Sequence, residues 1–104
     1  MQLDANNLLN YASRLEGQEL LTLKRKSAFA VKKVTADGIE IIPGSTGELR
    51  RVSRERIKQV CDEYARSKSL NPGDYQAITF DASYLMSLIH GFLHDCESGE
   101  NASK

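Results

Sequence analysis

The spacing of apolar residues changes twice along the chain, and each change predicts a boundary between elements. Residues 3–16 carry apolar side chains at helical spacing, with Asp4 placed to cap the helix. Gly17 follows as a typical helix end. Beyond it the spacing shortens toward two residues, which is typical of strands with one buried face. We therefore expect an N-terminal helix that leads into a β-sheet.

Residues 19–52 predict an antiparallel meander, with candidate strands at residues 20–23, 29–34, 39–42 and 48–52. Asp37-Gly38 is a strong hairpin signal, and we expect a type I′ turn with positive φ at both residues. Pro43 cannot donate a hydrogen bond to a neighbouring strand, so it should end its strand or lie at a sheet edge. The exact register stays open because the alternation fails at three apolar positions, Val34, Ile41 and Ile42.

From Ser53 onward the apolar spacing returns to that of a helix. Ser53 is placed as the N-cap, and the helix is expected to stop near residues 67–69. Asn71 and Pro72 then favour a break that starts a single further turn. A longer helix is predicted after this turn.

That last helix, predicted from Asp81 to about Asp95, is apolar around most of its circumference. A surface helix needs an apolar stripe of only about 100°. The helix must therefore be sandwiched inside the domain or shared with another subunit. The second alternative makes the protein a homodimer, with interface residues Tyr84, Leu88 and Phe92.

Together these elements predict an α+β fold: an N-terminal helix, a three- to four-stranded antiparallel meander, then two or three helices packed on one sheet face. The length of 104 residues suits one compact domain, placed at residues 1–96, with a polar C-terminal tail at 97–104. No apolar run approaches the roughly 20 residues of a membrane span, and no charged-then-apolar leader is present. We expect a cytoplasmic protein without a membrane partner. Its two cysteines, Cys61 and Cys96, are expected to be reduced and to act as small apolar residues; the alternative is a single disulfide between them.

The net charge of zero conceals an uneven distribution. Residues 24–58 carry ten basic and four acidic residues, whereas the segments 1–23 and 59–104 are net acidic by two and four charges. A basic segment of this kind attracts polyanions, because each phosphate contact releases counterions. The same charges can instead solvate one surface and pair with the acidic flanks. Zero net charge therefore does not exclude an acidic partner.

The candidate anion-binding residues cluster at two places in this basic segment: Lys24, Arg25, Lys26, Arg50, Arg51, Arg54 and Lys58. Arg51, Arg54 and Lys58 project together if the fourth strand runs straight into the following helix. Arginine also matches the geometry of phosphate and carboxylate better than lysine does. Most of the seven aromatic residues, by contrast, lie at positions expected in the core, which leaves few for base stacking.

Motifs for other chemistry are weak. Gly44-Ser45-Thr46-Gly47 predicts a plain turn, because a P-loop requires Gly-Lys-Ser/Thr before a helix. His90 and His94 lie one helical turn apart, but the other ligands of a structural zinc site are missing. No nucleophile motif or paired-carboxylate signature is present. We expect no enzyme activity, no metal or other cofactor, and no small-molecule substrate.

The sequence therefore predicts a small non-enzymatic binding module whose basic 24–58 surface contacts an acidic partner, either a nucleic-acid backbone or an acidic protein. The alternative is a structural or protein-interaction module that dimerises through the apolar helix 82–93 and has no nucleic-acid role. No motif assigns the chain to a named family.

Overall fold

The computed structural model describes residues 2–102 of the chain, with side chains described for residues 2–95. Helices and strands follow one another in the predicted order: α1 (Ala5–Ser13), β1 (Glu19–Leu21), β2 (Ala28–Thr35), β3 (Gly38–Pro43), β4 (Arg50–Ser53), α2 (Arg54–Ser67), a 3₁₀ turn (Pro72–Tyr75) and α3 (Ala82–Ala102). The four strands form one sheet in chain order, and every neighbouring pair is antiparallel. The predicted α+β meander is confirmed.

A β-bulge resolves the register that the sequence left open. The pairing of β2 with β3 shifts between Val31 and Lys33, so Lys32 is an extra residue on β2. Before the shift Val31 faces Ile41, and after it Val34 faces Ile39. The extra residue thus keeps apolar side chains on the helix-covered face along the whole hairpin.

The β2–β3 hairpin lies where Asp37-Gly38 predicts it, but the expected type I′ turn is wrong. Thr35 pairs with Gly38, so Ala36 and Asp37 form the turn. Among residues 2–102 the non-glycine residues with positive φ are Lys26 and Lys68, and Asp37 is not one of them. Gly38 is required for a different reason: at φ +153° it lies so close to β4 that a Cβ atom would be 2.1 Å from the Val52 carbonyl oxygen.

Local caps set the helix boundaries. Asp4 accepts a hydrogen bond from the Asn7 amide at 2.8 Å, and Ser53 accepts one from the Arg56 amide at 3.2 Å. Lys68 ends α2 in the left-handed conformation. The predicted Asn71 cap and Pro72 start of the following turn are also observed.

The core lies between one sheet face and the three helices. Phe29, Ile39 and Val52 project from three strands toward α1, α2 and α3. On α3, Leu85, Met86, Leu88, Ile89 and Phe92 are each at most 2% exposed. The apolar circumference of this helix is thus explained by sandwiching inside the domain.

This burial means that two of the three expected interface residues are not at the surface. Leu88 and Phe92 belong to the core of the single chain and offer no surface to a partner, while Tyr84 is half-buried with its ring 5.1 Å from the Phe29 ring. The homodimer itself stays a prediction. Helix α3 also continues to Ala102, beyond its predicted end, so residues 97–102 of the expected tail are helical; residues 103–104 lie outside the described part.

Candidate anion-binding cleft

A short loop between β1 and β2 displays three consecutive cations, Lys24, Arg25 and Lys26. Its base is closed by two hydrogen bonds, from the Thr22 amide to the Ser27 carbonyl and from the Ser27 amide to the Thr22 hydroxyl, both 3.0 Å. Thr22 is 5% exposed, so the base of the loop is anchored in the domain. Lys26 turns the chain back with φ 54°, a conformation uncommon for residues other than glycine. The three charged side chains are exposed.

A cleft of about 430 Å³ lies beside this loop. Its walls are the loop residues Lys24 and Arg25, the 3₁₀ turn, and the segment 79–84 at the start of α3. Lys24 Nζ donates to Asn71 Oδ1 at 2.8 Å and so joins the loop to the 3₁₀ turn. Pockets of this volume hold ligands of small-molecule size. The positive side chains of Lys24 and Arg25 therefore border a concave, partly open cleft.

Phe80 lines the same cleft and is 88% exposed. The sequence predicts core positions for most of the aromatic residues, and Phe80 is an exception to that prediction. It is the most exposed large hydrophobic side chain among those described, ahead of Leu21 at 52%. A sequence signal was available, because Phe80 precedes the polar cap position Asp81 and lies outside the apolar stripe of the last helix.

The segment that carries Phe80 is tethered on both sides. Arg56 donates from its guanidinium to the Ile78 carbonyl at 2.9 Å, and the Thr79 amide donates to the Tyr75 carbonyl at 3.0 Å. The Asp81 amide donates to the Thr79 hydroxyl at 3.1 Å. The backbone on both sides of Phe80 is thus held by hydrogen bonds, so a ligand that contacts the ring does not have to order this segment of the chain.

Arg50 and Arg51 point to opposite sides of β4, because side chains alternate along a strand. Arg50 Nε lies 2.7 Å from Asp81 Oδ1, an oxygen that accepts no hydrogen bond of good angular geometry although it is buried. The contact is best described as a charge pair at the start of α3. Arg51 lies on the open sheet face and pairs with Glu40 at 3.2 Å. Both charges are already balanced within the chain.

The remaining predicted cations also have internal partners. Arg54 donates to Asn6 and, at 3.4 Å, to the Ala36 carbonyl, which ties α2 to α1 and to the β2–β3 turn. Lys58 forms an i, i+4 pair with Asp62 at 3.1 Å on α2. The seven predicted residues therefore lie on several surfaces, and the structure brings only Lys24 and Arg25 together at the cleft, with Lys26 next to them in the loop.

The predicted cations differ in whether a carboxylate partner compensates their positive charge. Arg50, Arg51 and Lys58 each form an ion pair. Within the described residues Arg25 and Lys26 have no ion pair, and Lys24 bonds only to a neutral amide. Arg54 also bonds only to neutral groups, but it does not line the cleft. The loop is therefore the part of the predicted basic surface where cations without an ion pair meet the cleft.

The other candidate groups show no assembled chemistry. His90 and His94 are exposed, and among the described residues no three His, Cys, Asp or Glu side chains are grouped as metal ligands would be. Cys61 is buried, and this burial raises the pKa of its thiol to about 12, so it is a poor nucleophile at neutral pH. The Cys96 side chain lies outside the described residues.

Among residues 2–102, none of the helices combines the length and the apolar composition of a membrane-spanning segment. Comparison with known proteins gives no match to a family model, to a curated protein or to a solved structure.

Proposed function

We propose that this chain is a small non-enzymatic binding module that takes an anionic partner at the cleft beside the Lys24–Lys26 loop. The observation that carries the proposal is the position of Lys24 and Arg25, which lack carboxylate partners among the described residues and border a cleft of about 430 Å³, with Lys26 beside them in the loop. Ion-paired arginines must lose a partner to bind an anion, whereas the loop cations must lose only water and one amide contact. The proposed binding surface is therefore only the first basic cluster of the 24–58 segment, the Lys24–Lys26 loop.

Heparin, a sulfated polyanion, tests this proposal without assuming the identity of the partner. The variant Lys24→Gln/Arg25→Gln removes two charges from the cleft and retains side chains that can hydrogen-bond. The matched control, Lys32→Gln/Lys33→Gln, removes two exposed cations of β2 that likewise form no ion pair with a described residue. Both variants carry the same net charge.

The wild-type chain should be retained on immobilised heparin despite its zero net charge, because the loop concentrates positive charge locally. The loop variant should elute at clearly lower salt than the control. Failure of the wild-type chain to bind, or equal elution of the two variants, would contradict the proposal. Circular dichroism of both variants establishes that the comparison is made between folded proteins.

A further inference from the structure

The Phe80 ring is highly exposed, and hydrogen bonds hold the backbone on both sides of it. At 88% exposure the ring contributes little to the core, so folding alone does not explain its position. The contacts of Ile78, Thr79 and Asp81 hold the backbone around it. A flat apolar surface that projects from an ordered segment is suited to cover another flat apolar surface.

The ring and the loop cations line one cleft. A ligand that occupies this space meets positive charge on one wall and an aromatic face on another. The same cleft is also lined by neutral polar side chains that can donate and accept hydrogen bonds, among them Asn71, Gln76 and Ser83. Positive charge that follows a phosphate, together with an aromatic ring for the base, is the physical basis of single-strand recognition.

We infer that the cleft binds a nucleotide unit, with its phosphate at Lys24 and Arg25 and its base stacked on Phe80. The inference rests on the anion-binding function proposed above and specifies its ligand. A nucleotide is a single group that carries both a strong anion and a planar apolar ring, and so it satisfies both walls of the cleft. The unit belongs either to a single strand or to a free nucleotide, which share this chemistry.

An acidic peptide fits the cleft less well. Aspartate and glutamate side chains satisfy the cations but leave the Phe80 ring in water. A peptide with an apolar anchor requires a concave apolar pocket, whereas Phe80 projects outward. Duplex nucleic acid presents its phosphates but keeps its bases stacked on one another, so it cannot use the ring without unstacking. The arrangement therefore favours an unpaired base.

Fluorescence anisotropy with two labelled 12-mers of equal length separates the two parts of the site. One strand carries thymine at every position, and the other carries abasic residues on the same phosphate backbone. Stacking on an aromatic side chain strengthens binding by about fivefold or more per base. The wild-type chain should prefer the thymine strand by at least that factor, and Phe80→Ala should abolish the preference while leaving affinity for the abasic strand unchanged.

The loop variant Lys24→Gln/Arg25→Gln should instead weaken binding of both strands and reduce the slope of log affinity against log salt by up to about 1.4, since each single-strand phosphate contact contributes about 0.7. The control Lys32→Gln/Lys33→Gln should leave the slope closer to that of the wild-type chain. Competition by unlabelled AMP distinguishes the sources: displacement at concentrations comparable to those of the strand assigns the site to a free nucleotide, and failure to displace assigns it to a strand.

A tryptophan substitution provides an independent reading, because the chain contains no tryptophan. Phe80→Trp keeps an aromatic face and introduces a unique fluorophore at the stacking position. Its emission should be quenched by the thymine strand and not by the abasic strand. Equal emission with both strands would overturn the inference.

The outcomes also separate this inference from the function on which it rests. Equal affinity for the two strands, or polyglutamate binding more tightly than the thymine strand, would overturn the nucleotide inference and leave the anion-binding function standing. Absence of binding to heparin, to polyglutamate and to both strands would overturn both.

Discussion

A methyl group added at Gly91 should expose how tightly α1 packs against α3. A Cβ atom built there would lie 2.4 Å from Tyr11 Oη and 3.3 Å from Tyr11 Cζ. The first distance is far inside van der Waals contact, so the tyrosine ring must move. That ring is held on α1 in an edge-to-face contact with Phe92, at a centroid distance of 5.9 Å, and the Arg14 guanidinium lies 5.5 Å from its centroid. Moving it therefore disturbs packing on both sides.

Two opposing effects determine how much Gly91→Ala changes the free energy of unfolding. Overpacking of a formed core costs about 1–3 kcal/mol. Alanine in a helix interior is more favourable than glycine by about 1 kcal/mol. In the wild-type background the net effect should be a loss of stability of up to about 2 kcal/mol. In a Tyr11→Phe background the Oη atom is absent, the nearest contact lengthens to 3.3 Å, and the helix preference should prevail.

Urea unfolding of the four proteins, followed by circular dichroism, measures this interaction as a double-mutant cycle. The coupling free energy between the two substitutions should be about 1–3 kcal/mol, with the double variant more stable than the sum of the single effects. Tyr11→Phe is a suitable partner because Tyr11 Oη forms no hydrogen bond with a described residue. Additivity within about 0.5 kcal/mol would refute the close approach of α1 to α3 at this position.

Two further predictions concern the hairpin and the buried thiol. Gly38→Ala should destabilise the fold by at least about 2 kcal/mol, because its Cβ atom would collide with backbone atoms of β4. Gly47→Ala, at φ +69° with open space around it, should cost only about 1–2 kcal/mol. Equal losses of stability in the two variants on thermal melting would contradict this difference. Burial raises the pKa of the Cys61 thiol from 9.0 to about 12, so the thiol ionises at lower pH in the unfolded chain than in the folded one. The contribution of the buried thiol to stability is therefore complete below about pH 9 and is lost as pH rises toward 12. Stability should therefore fall less steeply over that interval in Cys61→Ala than in the wild-type chain, and identical slopes would contradict the assignment.

The order and type of the elements were predictable because they depend on short-range information. The signals for these boundaries lie within a few residues of each one: helical spacing, the caps at Asp4 and Ser53, and the Asn71-Pro72 break. The structure has each of them. The hairpin was located correctly for the same reason. Its geometry was not, because the need for glycine at position 38 comes from the approach of β4, a strand that follows after a separate turn.

The charge distribution could be counted from the sequence but not assigned to surfaces. Arg50 meets Asp81 and Arg54 meets Asn6 only after the chain has folded. These pairings join residues far apart in sequence, and no local pattern predicts them. The expectation that Arg51, Arg54 and Lys58 project together assumed a straight path from β4 into α2. The partners of these residues instead lie on the open sheet face, on α1 and on α2 itself.

The partners of the cations decide which part of the basic segment is available for binding. An arginine that already contacts a carboxylate, such as Arg50 beside Asp81, must exchange one anion for another, so the net gain is small. The loop cations Lys24 and Arg25 make no such exchange, and the exposed ring of Phe80 lines the cleft that they border. Of the ten cations between the acidic flanks, the folded chain brings two that have no ion pair among the described residues, Lys24 and Arg25, to a cleft that an exposed aromatic ring also lines. That combination is why the proposed ligand carries both an anion and a planar ring.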